Sequence, residues 1–199
     1  EILDSVLPSF MTDDARLADD IDSRGVMARS MDKQIDAYLI QVSRRNLSEE
    51  QSTFATQLLD VGTSLDHLEE LLRKDFVPLL ERKRQFAHPG EDFGAEELGA
   101  YSEKVLNNFA VSLVAFDTSD AELARQVVRS KPELERQLRQ ARTVHYERLQ
   151  DENTDAARAS NLQLDLLDDM RRVFIYSESI ALTMLHGYLD QRGDRRADA

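Results

Sequence analysis

The chain carries a near-copy of one of its own stretches. Phe10-Met11-Thr12-Asp13-Asp14-Ala15-Arg16-Leu17-Ala18-Asp19-Asp20-Ile21 returns 106 residues later as Phe116-Asp117-Thr118-Ser119-Asp120-Ala121-Glu122-Leu123-Ala124-Arg125-Gln126-Val127. Phe, Thr, Asp, Ala, Leu and Ala recur in the same order. In both copies an apolar segment ends, and a Thr/Ser/Asp group offers side-chain oxygens to the free N–H groups of a following helix. An amphipathic run then begins. The echo continues downstream at an offset of 108, where Leu58-Leu59-Asp60 matches Leu166-Leu167-Asp168 and Leu65 and Leu72 match Val173 and Ile180. Solenoid repeats run about 20 to 50 residues, so a period near half the chain predicts a duplicated helical unit: two similar all-α halves.

The pattern between these landmarks is helical throughout. Seven Gly and four Pro in 199 residues leave few breakers, which favours long helices and short connections. Residues 2–10 form a short apolar segment containing Pro8. A first long helix is expected from Asp13 to about Arg45, with Leu17, Ile21, Ala28, Met31, Ile35, Tyr38 and Val42 as its apolar stripe. Ser48 followed by Gln51 makes a capping box for the second helix. That helix carries Phe54, Leu58, Val61, Leu65, Leu68 and Leu72 on one face, and Pro78 is expected to kink or end it near Asp75. His88 to Gly94 reads as a loop. A third helix follows from Ala95 to Phe116, and a fourth from the second Thr-Ser-Asp cap to Leu149, with a break expected near Ser130 before Pro132. After a polar turn at 151–155, a fifth helix runs from Ala156 to Leu189 with Leu162, Leu166, Met170, Val173, Ile180, Met184 and Leu185 inward. Residues 191–199 read as a frayed tail.

Short connections predict up-and-down bundles. The grouping expected from the repeat is two three-helix bundles in tandem within one domain, 1–199. The first would span about 13–116, and the second about 117–190, closed by residues 1–12 as in a circular permutation.

Composition narrows the function classes. A net charge of −13 argues against nucleic acid, which needs Lys/Arg stripes, and against an anionic membrane surface. No apolar run reaches the roughly 18 residues of a membrane span, so direct membrane insertion is not expected. Cysteine is absent, which removes disulfides and thiolate metal ligands. The chain opens on Glu1 rather than Met, as expected of a piece of a larger protein. There is no Gly-rich phosphate loop, no Gly-x-Ser-x-Gly and no nucleophilic Cys, so an enzyme is not expected.

Three stretches resemble the PhoU family, and in particular the cytoplasmic PhoU-like domain of bacterial sodium/phosphate cotransporters. Ala37 to Glu50 is similar to the end of that family's first helix and its Leu-Ser-Glu-Glu turn. Leu65-Asp66-His67-Leu68-Glu69-Glu70-Leu71 sits where the family has a Leu-Glu-Arg-Ile-Gly-Asp-like helix. Leu164 to Val173, with Ser179-Ile180-Ala181, is similar to the second copy. The resemblance implies two tandem three-helix bundles and a non-catalytic role in regulating phosphate transport. It places the domain at the inner face of the plasma membrane as part of a larger membrane protein. The implied partners are a transporter membrane domain or phosphate-signalling proteins, and a homodimer is compatible with it. Two other readings stand beside this one: a stand-alone PhoU-like negative regulator of phosphate uptake, and a helical scaffold unrelated to phosphate.

The resemblance also implies acid-x-x-x-acid pairs that bind divalent or trivalent metal ions. Residues at i and i+4 share one helical face, and oxygen ligands from two helices can surround a hard cation. The candidates are Asp32 and Asp36 on the first helix with Asp66 and Glu70 on the second, His67 being adjacent. In the second half the positions of Asp32 and Asp36 hold Leu138 and Arg142, and those of Asp66 and Glu70 hold Arg171 and Ile175, or Phe174 and Glu178 in the other register. That copy is therefore expected to be lost. With 38 acidic residues such spacings also arise on solvated helix faces. His67, His88, His145 and His186 share no ligand spacing and are expected to be structural or exposed.

Overall fold

A computed structural model describes residues 2–12, 16–86, 95–149 and 154–197, and every element among them is helical. In chain order these are α1 (Ile2–Thr12), α2 (Arg16–Ser43), α3 (Glu49–Leu71), a π turn (Leu72–Phe76), α4 (Val77–Phe86), α5 (Ala95–Thr118), α6 (Ala121–Leu149) and α7 (Thr154–Ala197). The loop expected at His88–Gly94, the first-copy cap at Asp13 and Asp14 and the turn at 151–153 lie outside the described residues. The expected frayed tail is instead helical backbone through Ala197.

Helix starts follow the local chemistry. Ser48 caps α3 as a capping box: Gln51 N–H donates to Ser48 Oγ at 3.3 Å, and Ser48 N–H donates to Gln51 Oε1 at 3.0 Å. Asp120 caps α6, accepting at Oδ1 from the Glu122 and Leu123 N–H groups at 2.8 and 3.2 Å. The turn before it closes α5. Ser119 adopts φ 52°, its N–H donates to the Phe116 carbonyl, and Asp120 N–H donates to the Ala115 carbonyl at 2.9 Å. This is a Schellman arrangement with serine in the left-handed position where glycine is usual. A reversal this tight makes α5 and α6 antiparallel neighbours.

Pro78 and Pro132 have different consequences. The chain widens into the π turn just ahead of Pro78, Val77 N–H donating to the Leu72 carbonyl, and helix resumes without a stop. The wider turn moves the carbonyl with which the proline ring would collide. Pro132 lies within a continuous α6, so the break expected near Ser130 does not occur. Its ring is on the exposed side of the helix, and Ser130 Oγ donates to the Val127 carbonyl at 2.7 Å.

The expected grouping of helices is overturned. α5 packs against α6 and α7, burying Leu98, Tyr101, Val105 and Ala115 with Ala124, Val127, Leu134, Leu138 and Ala141 of α6 and Leu162, Leu166, Met170 and Val173 of α7. It does not complete a bundle with α2 and α3. α1 packs on α2, α4 and α5, so residues 2–12 do not close the α6–α7 pair. Lys83 of α4, only 4% exposed, pins α1: its Nζ donates to the Phe10 carbonyl and stands 5.1 Å over the Phe10 ring. The physical reason is that α5 already has its partner across the Ser119–Asp120 turn. The α1 side chains Leu3, Val6 and Phe10 then find their apolar surface nearer in sequence.

α7 is 44 residues long, about 66 Å at ~1.5 Å per residue. α3 and α4 run antiparallel along it, as successive cross-contacts show. Gln57 Nε2 donates to the Thr183 carbonyl at 2.9 Å, Ser64 meets Ser179 at 3.3 Å, Asp75 meets Arg172, and Arg82 meets Asp165 at 2.7 Å. α3 and α7, which carry the matching Leu58-Leu59-Asp60 and Leu166-Leu167-Asp168 stretches, thus meet each other.

α2 departs most from its pattern. Of its expected apolar stripe Ile21 is buried, but Ala28, Met31, Ile35 and Tyr38 are exposed, and Leu39 is buried instead. The face turned toward α3 holds Gly25, Arg29 and Asp32, where Gly25 passes against the Glu69 carboxylate. The charged contacts with α3 fix the rotation of α2, and its apolar side is left facing outward.

Candidate functional site

Two charged clusters stand out, both built on α3 and its continuation. The first is a groove of about 350 Å³ between α2 and α3, lined by Arg29, Asp32, Lys33, Asp66, Glu69 and Arg73 among others. It brings together Asp32, Asp66 and Glu70 of the acid pairs singled out from sequence, while Asp36 is not among its lining residues. Asp32 is held in hydrogen-bonding contact with Asp66, and its pKa is raised by burial, by the Asp66 and Asp36 charges and by that hydrogen bond. The Gly62 backbone is close by, since a Cβ there would lie 3.3 Å from Asp32 Oδ1. Glu70 is drawn away: it pairs with Lys74 one turn along, and the hydrogen bond and charge of Lys74 lower its pKa. Glu69 is taken by Arg29 and, at 3.8 Å, Arg73.

Among the described residues no group of three or more His, Asp or Glu side chains converges in metal-holding geometry. The groove contains one carboxylate pair in contact, ringed by Arg29, Lys33 and Arg73. Cations at the rim compete with a multivalent ion for these carboxylates. As arranged, the donor set is a poor match for a metal, since only Asp32 and Asp66 are in contact and Glu69 and Glu70 are paired with cations.

Sequence reasoning missed the second cluster. The π turn, α4 and α7 enclose a cleft of about 300 Å³ lined by Lys74, Asp75, Arg82, Asp165, Asp168 and Asp169 among others. Arg172 bridges Asp75 at 2.5 Å and Asp169 at 3.7 Å, Arg82 pairs with Asp165, and Arg142 of α6 pairs with Asp168. Asp169 is 8% exposed. Burial pushes its pKa up to about 7; the Asp75, Asp165 and Asp168 charges add to that, and Arg172 opposes it. The spacing of Asp165 and Asp169 is visible in the sequence, but their partners come from the π turn and from α4, nearly a hundred residues away. Pro78 was the available signal, since it places a helix distortion beside Asp75.

Among the described residues the histidines carry no joint site, and His88 lies outside them. His67 lies against the Tyr176 ring at 5.7 Å, His145 is buried within the α5–α6–α7 packing, and His186 is exposed.

Asp169 makes stability depend on pH. Its folded pKa of about 7 exceeds the ~3.9 of an unfolded aspartate, so the folded state binds the proton more tightly. The penalty is absent below about pH 4, grows as pH rises, and is complete above about pH 7. Asp169→Asn is therefore expected to stabilise the chain by on the order of 2 kcal/mol at pH 8 and to leave it unchanged at pH 4. Urea unfolding of both proteins at the two pH values checks this; an equal difference at both would assign the effect to something other than titration.

No family model matches this chain. It is 25% identical over 151 residues to a protein of Escherichia coli (strain K12) named "Putative inorganic phosphate export protein YjbB", and equally so to its counterpart in Shigella flexneri. A protein of the same name from Salmonella typhimurium is 24% identical over 151 residues. Each alignment covers 76% of this chain and 28% of the relative. The chain therefore spans little more than a quarter of the length of the curated relatives it matches. All of these relatives are named for inorganic phosphate export.

Proposed function

We propose that this chain is a non-catalytic regulatory and interaction domain of a phosphate-translocating membrane protein, working from the cytoplasmic side. The observation that carries the reading is the alignment over 151 residues with relatives named for phosphate export. The duplicated helical layout supports it, because the PhoU-like domains it resembles are duplicated in the same way. On this reading the two halves are tandem bundles in simple chain order, α1, α2 and α3–α4 followed by α5, α6 and α7. The transporter to which such domains belong is of the sodium/phosphate cotransporter type. No helix among the described residues is long and apolar enough to cross a membrane, so translocation would fall to other parts of the protein.

Neither charged cluster assembles a nucleophile with a general base, and apart from the Asp32–Asp66 pair most of their carboxylates are taken by arginine and lysine partners. Such clusters suit a domain that acts by changing contacts. Excising residues 1–199 from the full-length protein and measuring labelled phosphate flux tests the proposal. The expected result is flux that changes several-fold or no longer responds to phosphate supply. Unchanged flux with an unchanged response would overturn it. A stand-alone regulator of phosphate uptake is the alternative, and a gene whose product contains no membrane spans would favour it.

A further inference from the structure

Of the four aspartates in the cleft between the π turn, α4 and α7, three own a cation. Arg172 holds Asp75 at 2.5 Å, Arg82 holds Asp165 at 2.7 Å, and Arg142 holds Asp168. Lys74, also on the cleft wall, is paired with Glu70. Asp169 is the fourth. Its side chain is 11% exposed, against 38%, 47% and 57% for Asp75, Asp165 and Asp168. Among the described residues its nearest cation is Arg172 at 3.7 Å, beyond hydrogen-bonding reach and committed to Asp75. From α5 comes Tyr101, within electrostatic range of Asp168 and Arg142; burial pushes its pKa up to about 12, so it stays neutral. His67 of α3 lies further along the seam, against the Tyr176 ring.

We propose that Arg172 is a proton-controlled clamp between α7 and the π turn, with Asp169 as its switch. With Asp169 protonated, Arg172 reaches across the seam to Asp75 and ties the turn to α7. With Asp169 ionised, two carboxylates compete for one guanidinium. Asp169 stands three residues before Arg172 on the same helix, so it is placed to draw the side chain back. The cleft of about 300 Å³ leaves the guanidinium room to turn. Asp75 then loses its cation while still facing the acidic side of α7, and the turn and α4 loosen there. The π turn is the part able to yield. Val77 N–H donates to the Leu72 carbonyl in place of an α-helical bond, and interruptions of this kind recur at functional sites.

A buried carboxylate that has lost water without gaining a cation of its own favours its neutral form. Burial, with the neighbouring aspartates adding to it, accordingly holds the Asp169 pKa at about 7. In the open form Asp169 is paired or hydrated and binds its proton less tightly. Opening therefore grows with pH and levels off above about pH 7, once Asp169 is ionised in the closed form as well. The cost of ionising Asp169 thus falls on one seam rather than on the whole chain. The α5–α6 packing contributes no carboxylate to the cleft and should not follow. The clamp belongs to the chain itself and holds whether or not the chain serves a phosphate transporter.

Hydrogen exchange of the 199-residue chain between about pH 5 and pH 8, corrected for the intrinsic amide rate, tests the proposal. Opening of residues 72–86 should rise about tenfold or more over this range, while residues 95–149 stay within about threefold. Asp169→Asn should keep the seam closed throughout, which also separates Asp169 from His67. Arg172→Gln should leave the seam open at about pH 5 as well, as a carboxylate acting without the clamp would not. The carbon-13 shift of the Asp169 carboxyl gives a second reading, with a titration midpoint at about 7. In Asp75→Asn the midpoint should fall by about one unit or more, because an opposing charge is gone and Arg172 is freed for Asp169. A midpoint below about 5, a seam indifferent to pH, a rise shared by the whole chain, or a response that survives Asp169→Asn overturns the proposal.

Discussion

Phe76→Ala is expected to destabilise the chain by about 3–5 kcal/mol, lowering the thermal midpoint by roughly 10 °C. Phe76 ends the π turn and is 1% exposed, among the largest fully buried side chains. The turn packs against α2, α4 and α7, so the ring sits where the two halves of the chain approach each other. Removing it leaves a cavity that helices on several sides cannot all close on, which puts the cost in the upper range for large-to-small substitutions. Phe76→Leu should recover more than half of the loss. Calorimetry of the two variants checks the ordering; equal losses would mean that the effect comes from the turn's backbone rather than from ring packing.

Gly187→Leu is expected to cost about 2–3 kcal/mol and to act on the α3–α7 seam. Gly187 is buried on α7, and a Cβ there would stand 2.1 Å from Gln57 Nε2. Gln57 would have to swing away, losing its hydrogen bond to the Thr183 carbonyl, and the seam would then have to take up the bulk of a leucine as well. Gly187→Ala should be close to neutral, since the lost hydrogen bond of about 1 kcal/mol is offset by alanine's similar gain in helix propensity. Hydrogen exchange locates the effect: the leucine variant should lose protection in α3 and the end of α7 before the α5–α6 pair. Uniform loss across the chain would show that the seam is not a separate weak point.

Much of the site chemistry was readable because it is local. The Ser48–Gln51 capping box and the Asp120 cap depend on residues three apart or fewer, and they form as spelled out. Asp32 and Asp66 were paired from i, i+4 spacing on adjacent helices, and the structure does bring them into contact. Glu70 was placed with them by the same reasoning but bonds Lys74 instead. Spacing says which residues share a face and not which neighbouring cation reaches them first. The Asp75–Arg172–Asp169 cluster was not legible, because its members come from elements whose pairing depends on the π turn.

The amino-acid sequence by itself determined the all-helical character, the caps at Ser48 and Asp120 and the apolar stripe of α7. Each of these is set by hydrogen bonds within a turn or by a 3.6-residue period. Only the tertiary structure decided that α5 joins α6 and α7, that α1 stays with α2 and α4, and that α2 turns its apolar stripe outward. The reason is that periodicity marks a face as apolar without naming what covers it. That choice was made by the two-residue reversal after α5 and by the Arg29, Glu69 and Asp32 contacts that fix the rotation of α2.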